Sequence, residues 1–595
     1  MKRTISSAEI LIHVFSVIMM LMAGYYYLER MIPFDGAFYS FRISETKWFS
    51  IDNYRYSQHA QLLPLLLILM GCSLKTFLIS YSVSFALWNY IIALIILYVY
   101  KNQKLALGLV LATVLSYMYK FFYPVSEIHS TTAPLFLFAA HVFNYPNRKN
   151  NILYFLITAF IITWTLFIHV ISIIPAMYVL AYYFVYSKKL KENFPVLIFS
   201  SFYWVIAFML SKIFLTTEYL ASKMIGMKEL FQFIKKPNEA AGYLYFKEEF
   251  LMNYLPLEIL AVCCLIFLVF KKEWLQSFVF VSFLLGTWFI IMAYNLKHDA
   301  PIVLMNYYGL FSFYCAFPFC LYAFDFISSK KFTLAYIALM IPSILGIIRC
   351  GALYTDQIDY IKRVTSQMKT SRGIISMANI PWDCIWVSWN FSSQSLLISS
   401  LQNPHSIKTF CSMQNEQEAE EYVYSTNPNS FYTAFFSPNW FPAPFRNNVF
   451  YNLGPSNYKW LNTLQDSSFN ENLLSKSNIK ITTDNETIFL LKNNFRFIPV
   501  TVTNQNNFKI PSTPSNLKQI HLTYKVYDNK NNLLFHDGKR SNLELDIDAK
   551  SSQKSGLCID CTQLRKGRTY YIDVDMVIEN QRWLGINKRI KIILI

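Results

Sequence analysis

Charged residues are scarce in this sequence of 595 residues: 15% are Asp, Glu, Lys or Arg, whereas 54% are hydrophobic. Soluble domains carry about 25% charged residues, so the composition indicates a membrane protein. Glycine is also scarce, at 16 residues, and no Gly-rich phosphate loop is found. A Ser/His/Asp arrangement and a redox motif are likewise absent from the sequence. These absences argue against P-loop enzymes, serine hydrolases and oxidoreductases.

Acidic residues are fewer than basic ones, 36 against 53, which gives a formal net charge of +17. In a soluble protein this excess might indicate a nucleic-acid partner. Here the lysines and arginines lie in short connectors between apolar runs, where they set the orientation of a membrane protein. We therefore predict contact with a lipid bilayer and no nucleic-acid binding.

Long apolar runs predict about eleven transmembrane helices, since each span needs about 20 apolar residues. The runs lie at 9–28, 76–100, 104–122, 129–145, 151–168, 170–187, 194–215, 251–270, 275–294, 302–325 and 332–349. The first is interpreted as an uncleaved span because its apolar core is too long for a signal peptide. Gly24–Tyr27 would also be a poor cleavage site.

The connectors predict a cytoplasmic N-terminus, because Lys and Arg then concentrate on the inner side, for example in Lys101–Lys104 and Ser187–Asn193. The run Ala60–Cys72 is too short to span, so we predict that it lies on the outer face. Two long outer loops follow from this topology, 29–75 and 216–250. The second loop looks amphipathic and is predicted to lie on the membrane surface.

Three regions are predicted: a membrane domain at 1–350, a mixed α/β region at 351–479 and a β-sandwich at 480–595. The middle region is expected to begin with a helix over Asp356–Lys369. In the last region, alternation is clearest in His521–Tyr527. The predicted strands are Ile479–Thr482, Thr487–Lys492, Phe497–Thr503, Gln519–Tyr527, Leu533–His536, Leu543–Ile547, Tyr570–Ile578 and Arg589–Ile595.

The layout of the first 350 residues resembles the GT-C superfamily of polyprenyl-phosphate-dependent glycosyltransferases. Asp35 stands where that superfamily has a catalytic acid in its first outer loop, and Tyr56–Gly71 resembles the stretch leading into its surface helix. Ser126–His129 matches the position of a second recurrent acid, and His169 resembles a further polar position. The chain departs from the pattern at Gly36, where many members have a second acid. It departs again at His59–Pro64, which replaces a His-Pro-Pro-Leu-like run.

The resemblance implies transfer of a sugar from a polyprenyl-phosphate carrier to a glycan, lipid or protein acceptor on the extracytoplasmic face. Two alternatives stay open. One is a transporter or flippase for a lipid-linked glycan, although no internal repeat is found. The other is a catalytically inert assembly protein, since a fold does not guarantee activity.

Asp35 is the predicted catalytic base, which takes the proton from the acceptor hydroxyl in a single inverting displacement. The alternative is a solvated loop residue in the Asp-Gly turn that Gly36 favours. Glu127 has three interpretations: it orients the acceptor, binds a divalent metal, or pairs with Lys120. Beyond that divalent metal, no cofactor is predicted.

Six basic side chains are predicted to contact the donor phosphate or sugar, because phosphate is best held by arginine, lysine and histidine. They are Arg42, Arg55, His59, His169, Lys297 and His298. The alternative for His59 and His169 is a packing role, and for the other four side chains it is contact with lipid headgroups.

The C-terminal segment around Leu522, Arg540 and Trp583 resembles a β-sandwich module that often accompanies glycan-modifying enzymes. It carries Cys558 and Cys561, which are interpreted as a local disulfide or as two unrelated thiols, with zinc disfavoured because a second pair of ligands is missing. The Lys-, Asn- and Ile-rich composition suggests a bacterial inner membrane with a periplasmic C-terminal part; the alternative compartment is the endoplasmic-reticulum lumen.

Overall fold

A computed structural model of the protein describes most of the chain. The described residues are 6–50, 58–144, 152–186, 190–215, 227–237, 243, 246, 254–294, 301–326, 328–381, 390–424, 426, 431–432, 450–461, 474–490, 495–512, 520–579 and 582–594. The chain divides into two compact units. The first comprises Met1–Met31, Thr46–Cys72 and Thr76–Cys350, and the second comprises Ile32–Glu45, Ser73–Lys75 and Gly351–Ile595.

The first unit is built of helices, as the long apolar runs predict. Its helices are α1 (Ser7–Tyr25), α2 (Tyr27–Met31), α4 (Leu62–Leu69), α5 (Leu74–Leu94), α6 (Gln103–Tyr117), α7 (Glu127–Ser130), α8 (Thr132–Phe143), α9 (Ile152–Ile168), α10 (Ile173–Tyr186), α11 (Leu190–Leu215), α12 (Met227–Lys235), α13 (Leu255–Phe270), α14 (Trp274–Tyr294), α15 (Pro301–Pro318), α16 (Phe324–Phe326) and the start of α17 (Ser329–Gln367). Helix α3 (Asp35–Thr46) lies in the chain between α2 and α4, and all of it except Thr46 belongs to the second unit. Two π-helical segments, Ile95–Val99 and Phe319–Ala323, extend α5 and α15.

Among the residues that the structure describes, five helical segments are long and apolar enough to cross a membrane by length and composition. They are Ser7–Tyr25, Leu74–Val99, Phe194–Ser211, Trp274–Ala293 and Ser329–Gln367. Six further apolar helices of the described chain have 10–17 residues, among them His59–Leu69, which is the run predicted to be too short to span. The structure is therefore compatible with a membrane protein. The count of about eleven spans stays a prediction.

The segment 216–250 was predicted to be amphipathic, and α12 is its described helix. Phe233 is 2% exposed and packs against Trp288 and Phe289, with ring centroids 5.9 and 5.3 Å apart. Phe231 and Ile234 on the same helix are more than half exposed. The helix thus has one apolar side against α14 and further apolar side chains left uncovered, which is the pattern of an interfacial helix.

The second unit contains a small parallel sheet, β2-β1-β3, formed by β1 (Arg372–Ser376), β2 (Thr409–Met413) and β3 (Lys459–Trp460). Strands β1 and β2 pair in parallel, so the chain needs a crossover, and α18 (Phe391–Gln402) lies in that connection. A short helix, α19 (Glu416–Tyr422), follows β2. This is the mixed α/β arrangement that the sequence predicts for 351–479.

The C-terminal part is rich in strands. They are β4 (Ile479–Thr482), β5 (Thr487–Leu490), β6 (Phe495–Asn504), β7 (Ile520–Tyr527), β8 (Leu533–Phe535), β9 (Ser541–Asn542), β10 (Ser552–Asp560), β11 (Thr569–Ile578), β12 (Arg582–Trp583) and β13 (Lys588–Leu594). One sheet has the order β10-β6-β4, and the other has β5-β13-β11-β7-β8, with β9 and β12 beside β7 and β11. Buried side chains from both sheets, such as Val500 and Ile572, form one apolar core.

Some elements differ from the sequence prediction. The helix expected over Asp356–Lys369 is the end of α17, a single helix of 39 residues, because the polar sequence after Cys350 keeps helical periodicity and lacks a breaker. The strand expected over Leu543–Ile547 is replaced by β9 and an isolated bridge between Ile547 and Ile510. Strand β10 was not predicted, since its polar first half lacks clear alternation.

Asp575 in β11 is fully buried and fixes the turn that follows the strand. Its Oδ1 accepts hydrogen bonds from the backbone N–H groups of Met576 (2.8 Å) and Ile586 (2.9 Å). Its Oδ2 accepts one from the N–H of Gly585 at 2.9 Å. A carboxylate can accept all three bonds, whereas an amide would point its NH2 group at one of these donors.

We therefore expect Asp575→Asn to lower the local unfolding free energy of the β-rich region by about 2–3 kcal/mol. The reason is that a hydrogen bond between a backbone N–H and a buried carboxylate is lost. Hydrogen–deuterium exchange of β11 in the full-length protein in detergent would measure it. Asp484→Asn is the matched control, because Asp484 pairs with Lys554 at an exposed position and such pairs contribute about 0–1 kcal/mol. Equal exchange in both variants would contradict the proposed role.

Candidate active site on the helix Asp35–Thr46

Asp35 is the first residue of α3 and is half-buried. The backbone turns sharply just before it: Phe34 has φ of 52°, and the N–H of Gly36 donates to the carbonyl of Pro33 at 3.2 Å. The Asp-Gly pair therefore begins a helix here. The positive end of the helix dipole favours a carboxylate at this position.

One face of α3 anchors the helix in the second unit. The ring of Phe41 lies 4.9 Å from that of Phe431 and 5.4 Å from that of Tyr451, measured between centroids. The hydroxyl of the buried Tyr451 hydrogen-bonds to Ser44 Oγ at 2.6 Å. An aromatic cluster and one buried hydrogen bond thus fix the rotation of α3. They also fix the direction of the side of the helix that carries Asp35 and Arg42.

Asp35 and Arg42 lie on another side of the helix, about two turns or 10 Å apart. Phe38, which is 3% exposed, lies between that side and Phe41. The Arg42 guanidinium lies 5.5 Å from the centroid of the Phe38 ring, and Arg42, like Asp35, is half-buried. The structure therefore brings together the predicted base and one predicted phosphate ligand, with an aromatic ring between them.

A second helix begins beside Asp35. The side chain of Asn390, at the N-terminus of α18, does not cap its own helix and instead donates a hydrogen bond to the carbonyl of Phe34. The next turn is polar and buried: Ser392, Ser393 and Gln394 are at most 2% exposed. Their side-chain oxygens and the Gln394 amide nitrogen make no hydrogen bond to any described residue. Buried polar groups without partners are uncommon, and hydroxyl-bearing ligands satisfy such groups well.

Two of the three predicted histidines, His59 and His169, belong to the first unit and have structural contacts there. His59 stacks on Trp88, with centroids 5.1 Å apart, and meets the edge of Trp164 at 5.8 Å. His169 caps the short 3₁₀ helix Val170–Ser172, because its Nδ1 accepts a hydrogen bond from the N–H of Ile171 at 3.2 Å. Packing and capping account for both side chains, and their role in donor binding stays a prediction.

The remaining predicted residues are not joined to Asp35 by the structure. Glu127 begins α7, in the first unit, whereas Asp35 and Arg42 belong to the second. Arg55, Lys297 and His298 lie outside the described residues. The predicted set is therefore divided between the two units, and within the described chain Asp35 and Arg42 are the pair that one element holds together.

A buried basic cluster in the first unit was not predicted. Arg30 is 1% exposed; it donates to the hydroxyl of Ser82 at 2.8 Å and to the carbonyl of Phe121, and its guanidinium covers the Phe121 ring at 4.1 Å. Burial lowers the pKa of Arg30 to about 10, so the group remains a cation at neutral pH. Its position directly after the first apolar run was the only signal in the sequence.

Two further basic side chains adjoin Arg30 through the same aromatic rings. Lys120, which precedes Phe121, is 1% exposed, and His129 is 7% exposed. The His129 ring lies 4.7 Å from that of Tyr117, which packs against Phe121 at 5.7 Å. Two basic side chains and one histidine are therefore buried around the same aromatic rings.

The cysteines add no reactive centre to this description. Cys558 and Cys561 are both buried, and no disulfide joins them, so of the two interpretations the structure favours two separate thiols. Among the residues that the structure describes, no group of three or more His, Cys, Asp or Glu side chains is placed to hold a metal ion.

Comparison of the chain with models of known protein families finds no match. A search of curated proteins also finds no match. The resemblance to the GT-C superfamily consequently stays a prediction, and the functional argument depends on the residues themselves.

Proposed function

We propose that the protein is a membrane glycosyltransferase that moves a sugar from a polyprenyl-phosphate carrier to a hydroxyl-bearing acceptor. The observation that carries the proposal is the placement of Asp35 and Arg42 two turns apart on one half-buried face of α3, with Phe38 between them. The carboxylate supplies a base and the guanidinium supplies a phosphate ligand, while the ring of Phe38, which is 3% exposed, lies buried between them.

The separation of these groups suits an inverting displacement. The acceptor oxygen attacks the anomeric carbon from one side while the phosphate leaves from the other, so base and cation must lie at opposite ends of the reacting group. Two helical turns place them about 10 Å apart, which leaves room for a sugar with hydrogen bonds of about 2.8 Å at each end. Asp35 accepts the proton of the hydroxyl, and the fork of Arg42 neutralises the departing phosphate.

We further propose that about eleven helices span a bacterial inner membrane with the N-terminus cytoplasmic, and that the C-terminal β-sandwich is periplasmic. Glu127 orients the acceptor, and His59, His169, Arg55, Lys297 and His298 contact the donor.

The direct test is donor turnover by the full-length protein purified in detergent, with a panel of radiolabelled polyprenyl-phosphate sugars. We expect one donor to be hydrolysed or transferred, with inversion at the anomeric carbon of the product. Donor binding without turnover across the panel would overturn the proposal and favour a transporter or an inert assembly protein. A liposome flipping assay would separate those two.

Arg42 offers a prediction that separates binding from chemistry. We expect Arg42→Gln to raise the KM for the donor about tenfold or more, since a charge-assisted hydrogen bond to phosphate is lost. Arg42→Lys should recover part of the affinity, because the charge returns without the fork. Steady-state kinetics on the transferred label would measure both. Unchanged KM in Arg42→Gln would exclude Arg42 from the donor site.

A further inference from the structure

A cavity of about 710 Å³ lies within the first unit, at the connector between α5 and α6. Part of its lining is polar and comes from the connector residues Lys101–Lys104. The other part, which we call the apolar wall, includes Leu97, Leu321 and Phe324. Cavities of about 300–1,000 Å³ are the usual size of small-molecule sites. A polar part together with an apolar wall is suited to an amphiphile.

The backbone around this cavity departs from regular geometry in three places. Two π-helical segments border it, since Leu97 and Tyr98 belong to Ile95–Val99 and Leu321 belongs to Phe319–Ala323. Lys101, between α5 and α6, adopts a left-handed conformation with φ of 54°. Single π-helical turns are often found at functional sites, so two of them at one cavity indicate a built site.

Most polar groups of the connector are already engaged. Lys104 pairs with Asp325, and the Asn102 side chain caps α6 by accepting from the N–H of Leu105 at 3.1 Å. The amide of Gln103 donates to Ser6 Oγ at 3.3 Å. Lys101, by contrast, is exposed and makes no ion pair with any described residue. One ammonium group is therefore left to meet a ligand in the cavity.

We propose that this cavity binds a phosphate-bearing amphiphile, with the phosphate at Lys101 and the hydrocarbon against Leu97, Leu321 and Phe324. The ammonium supplies a charge-assisted hydrogen bond to a phosphate oxygen. The apolar wall covers the first methylene groups of the chain, and each buried methylene contributes about 0.8 kcal/mol. The proposal is independent of the transferase chemistry and concerns a different part of the chain.

Native mass spectrometry of the delipidated full-length protein in detergent tests the site. Phosphatidylglycerol is the anionic probe, phosphatidylcholine the zwitterionic one, and inorganic phosphate the soluble one. We expect Lys101→Gln to weaken phosphatidylglycerol binding about tenfold, as expected for one charged hydrogen bond. Lys101→Arg keeps the charge and should bind nearly as well as the original protein, which also shows that substitution at this position is tolerated.

Lys272→Gln is the matched control, because Lys272 is an exposed lysine with nearly the same left-handed backbone (φ of 59°) but does not line the cavity. Equal losses in Lys101→Gln and Lys272→Gln would overturn the proposal, since they would reflect surface charge alone. Binding of inorganic phosphate as strong as that of phosphatidylglycerol would also overturn it, because the apolar wall would then contribute nothing.

Discussion

Replacement of Asp35 with asparagine is expected to lower sugar transfer about 100-fold to 10,000-fold, the usual contribution of a general base. Asparagine has nearly the same shape and can still occupy the start of α3, so the helix and its contacts with Tyr451 should be retained. The amide cannot take a proton from the acceptor hydroxyl. We therefore expect kcat to fall while the donor still binds, which steady-state kinetics and a donor-binding assay would establish together.

Glu45→Gln is the matched control for this substitution. Glu45 is a half-buried acid on the same helix, ten residues further along. The same loss of charge there should leave transfer within about twofold, because a group that does not touch the reacting atoms gives little transition-state stabilisation. Asp35→Glu should keep measurable activity with the carboxylate displaced. An Asp35→Asn protein with full turnover would remove Asp35 from the mechanism.

The second large effect is expected on stability, at the ion pair between Arg363 and Glu544. Arg363, near the end of α17, donates from Nη2 to Glu544 Oε1 at 2.6 Å and from Nε to Glu544 Oε2 at 3.2 Å. The two side chains are 11% and 1% exposed. Glu544 Oε1 also accepts from the N–H of Gly556 in β10 at 2.9 Å. One carboxylate thus joins α17 to the β-rich region.

Glu544→Ala should destabilise the second unit by about 3–5 kcal/mol, because it leaves the Arg363 charge buried without its partner. Hydrogen exchange of β10 in the full-length protein would report the loss locally. The double variant Arg363→Met/Glu544→Leu should lose much less than the sum of the single variants, since no uncompensated charge remains.

Asp548→Asn is the comparison for this pair. Asp548 pairs with Lys369 in a bridge whose side chains are 51% and 82% exposed, and exposed pairs contribute about 0–1 kcal/mol. If Glu544→Ala were as stable as Asp548→Asn, the ion pair between Arg363 and Glu544 would contribute no more to stability than an exposed pair does. The hydrogen bond from Gly556 to Glu544 would then contribute little as well.

Local patterns in the sequence predicted the elements well where periodicity was strong. The strand at Ile479–Thr482 is confirmed residue for residue as β4, since its alternation is unbroken. Strand β10 was missed because Ser552–Ser555 is polar throughout and Gly556 interrupts the pattern. Gly556 is needed there: a Cβ atom would lie 3.0 Å from both Arg363 and Glu544, a constraint that only the folded arrangement reveals.

The residues of the candidate site could be predicted from the sequence, but the helix that holds them together could not. Asp35 and Arg42 were each selected from the sequence by charge and position. Their common helix was not predicted, because the first outer loop carries no strong apolar periodicity. The anchor of that helix, Tyr451, is 407 residues away from Ser44, and no local pattern can report a contact over that distance. Burial of Arg30 was invisible for the same reason.

This long separation has a consequence for biosynthesis. A ribosome adds about 5–20 residues per second, so α3 leaves it roughly 20–80 seconds before Tyr451 is made. During that interval the helix lacks the ring of Phe431 and the hydroxyl of Tyr451 that fix its rotation. A chain terminated before these residues would retain Asp35 and Arg42 with nothing to orient them. The orientation of α3 therefore depends on residues made late in synthesis, and a change near Tyr451 can alter it as much as a change within the helix itself.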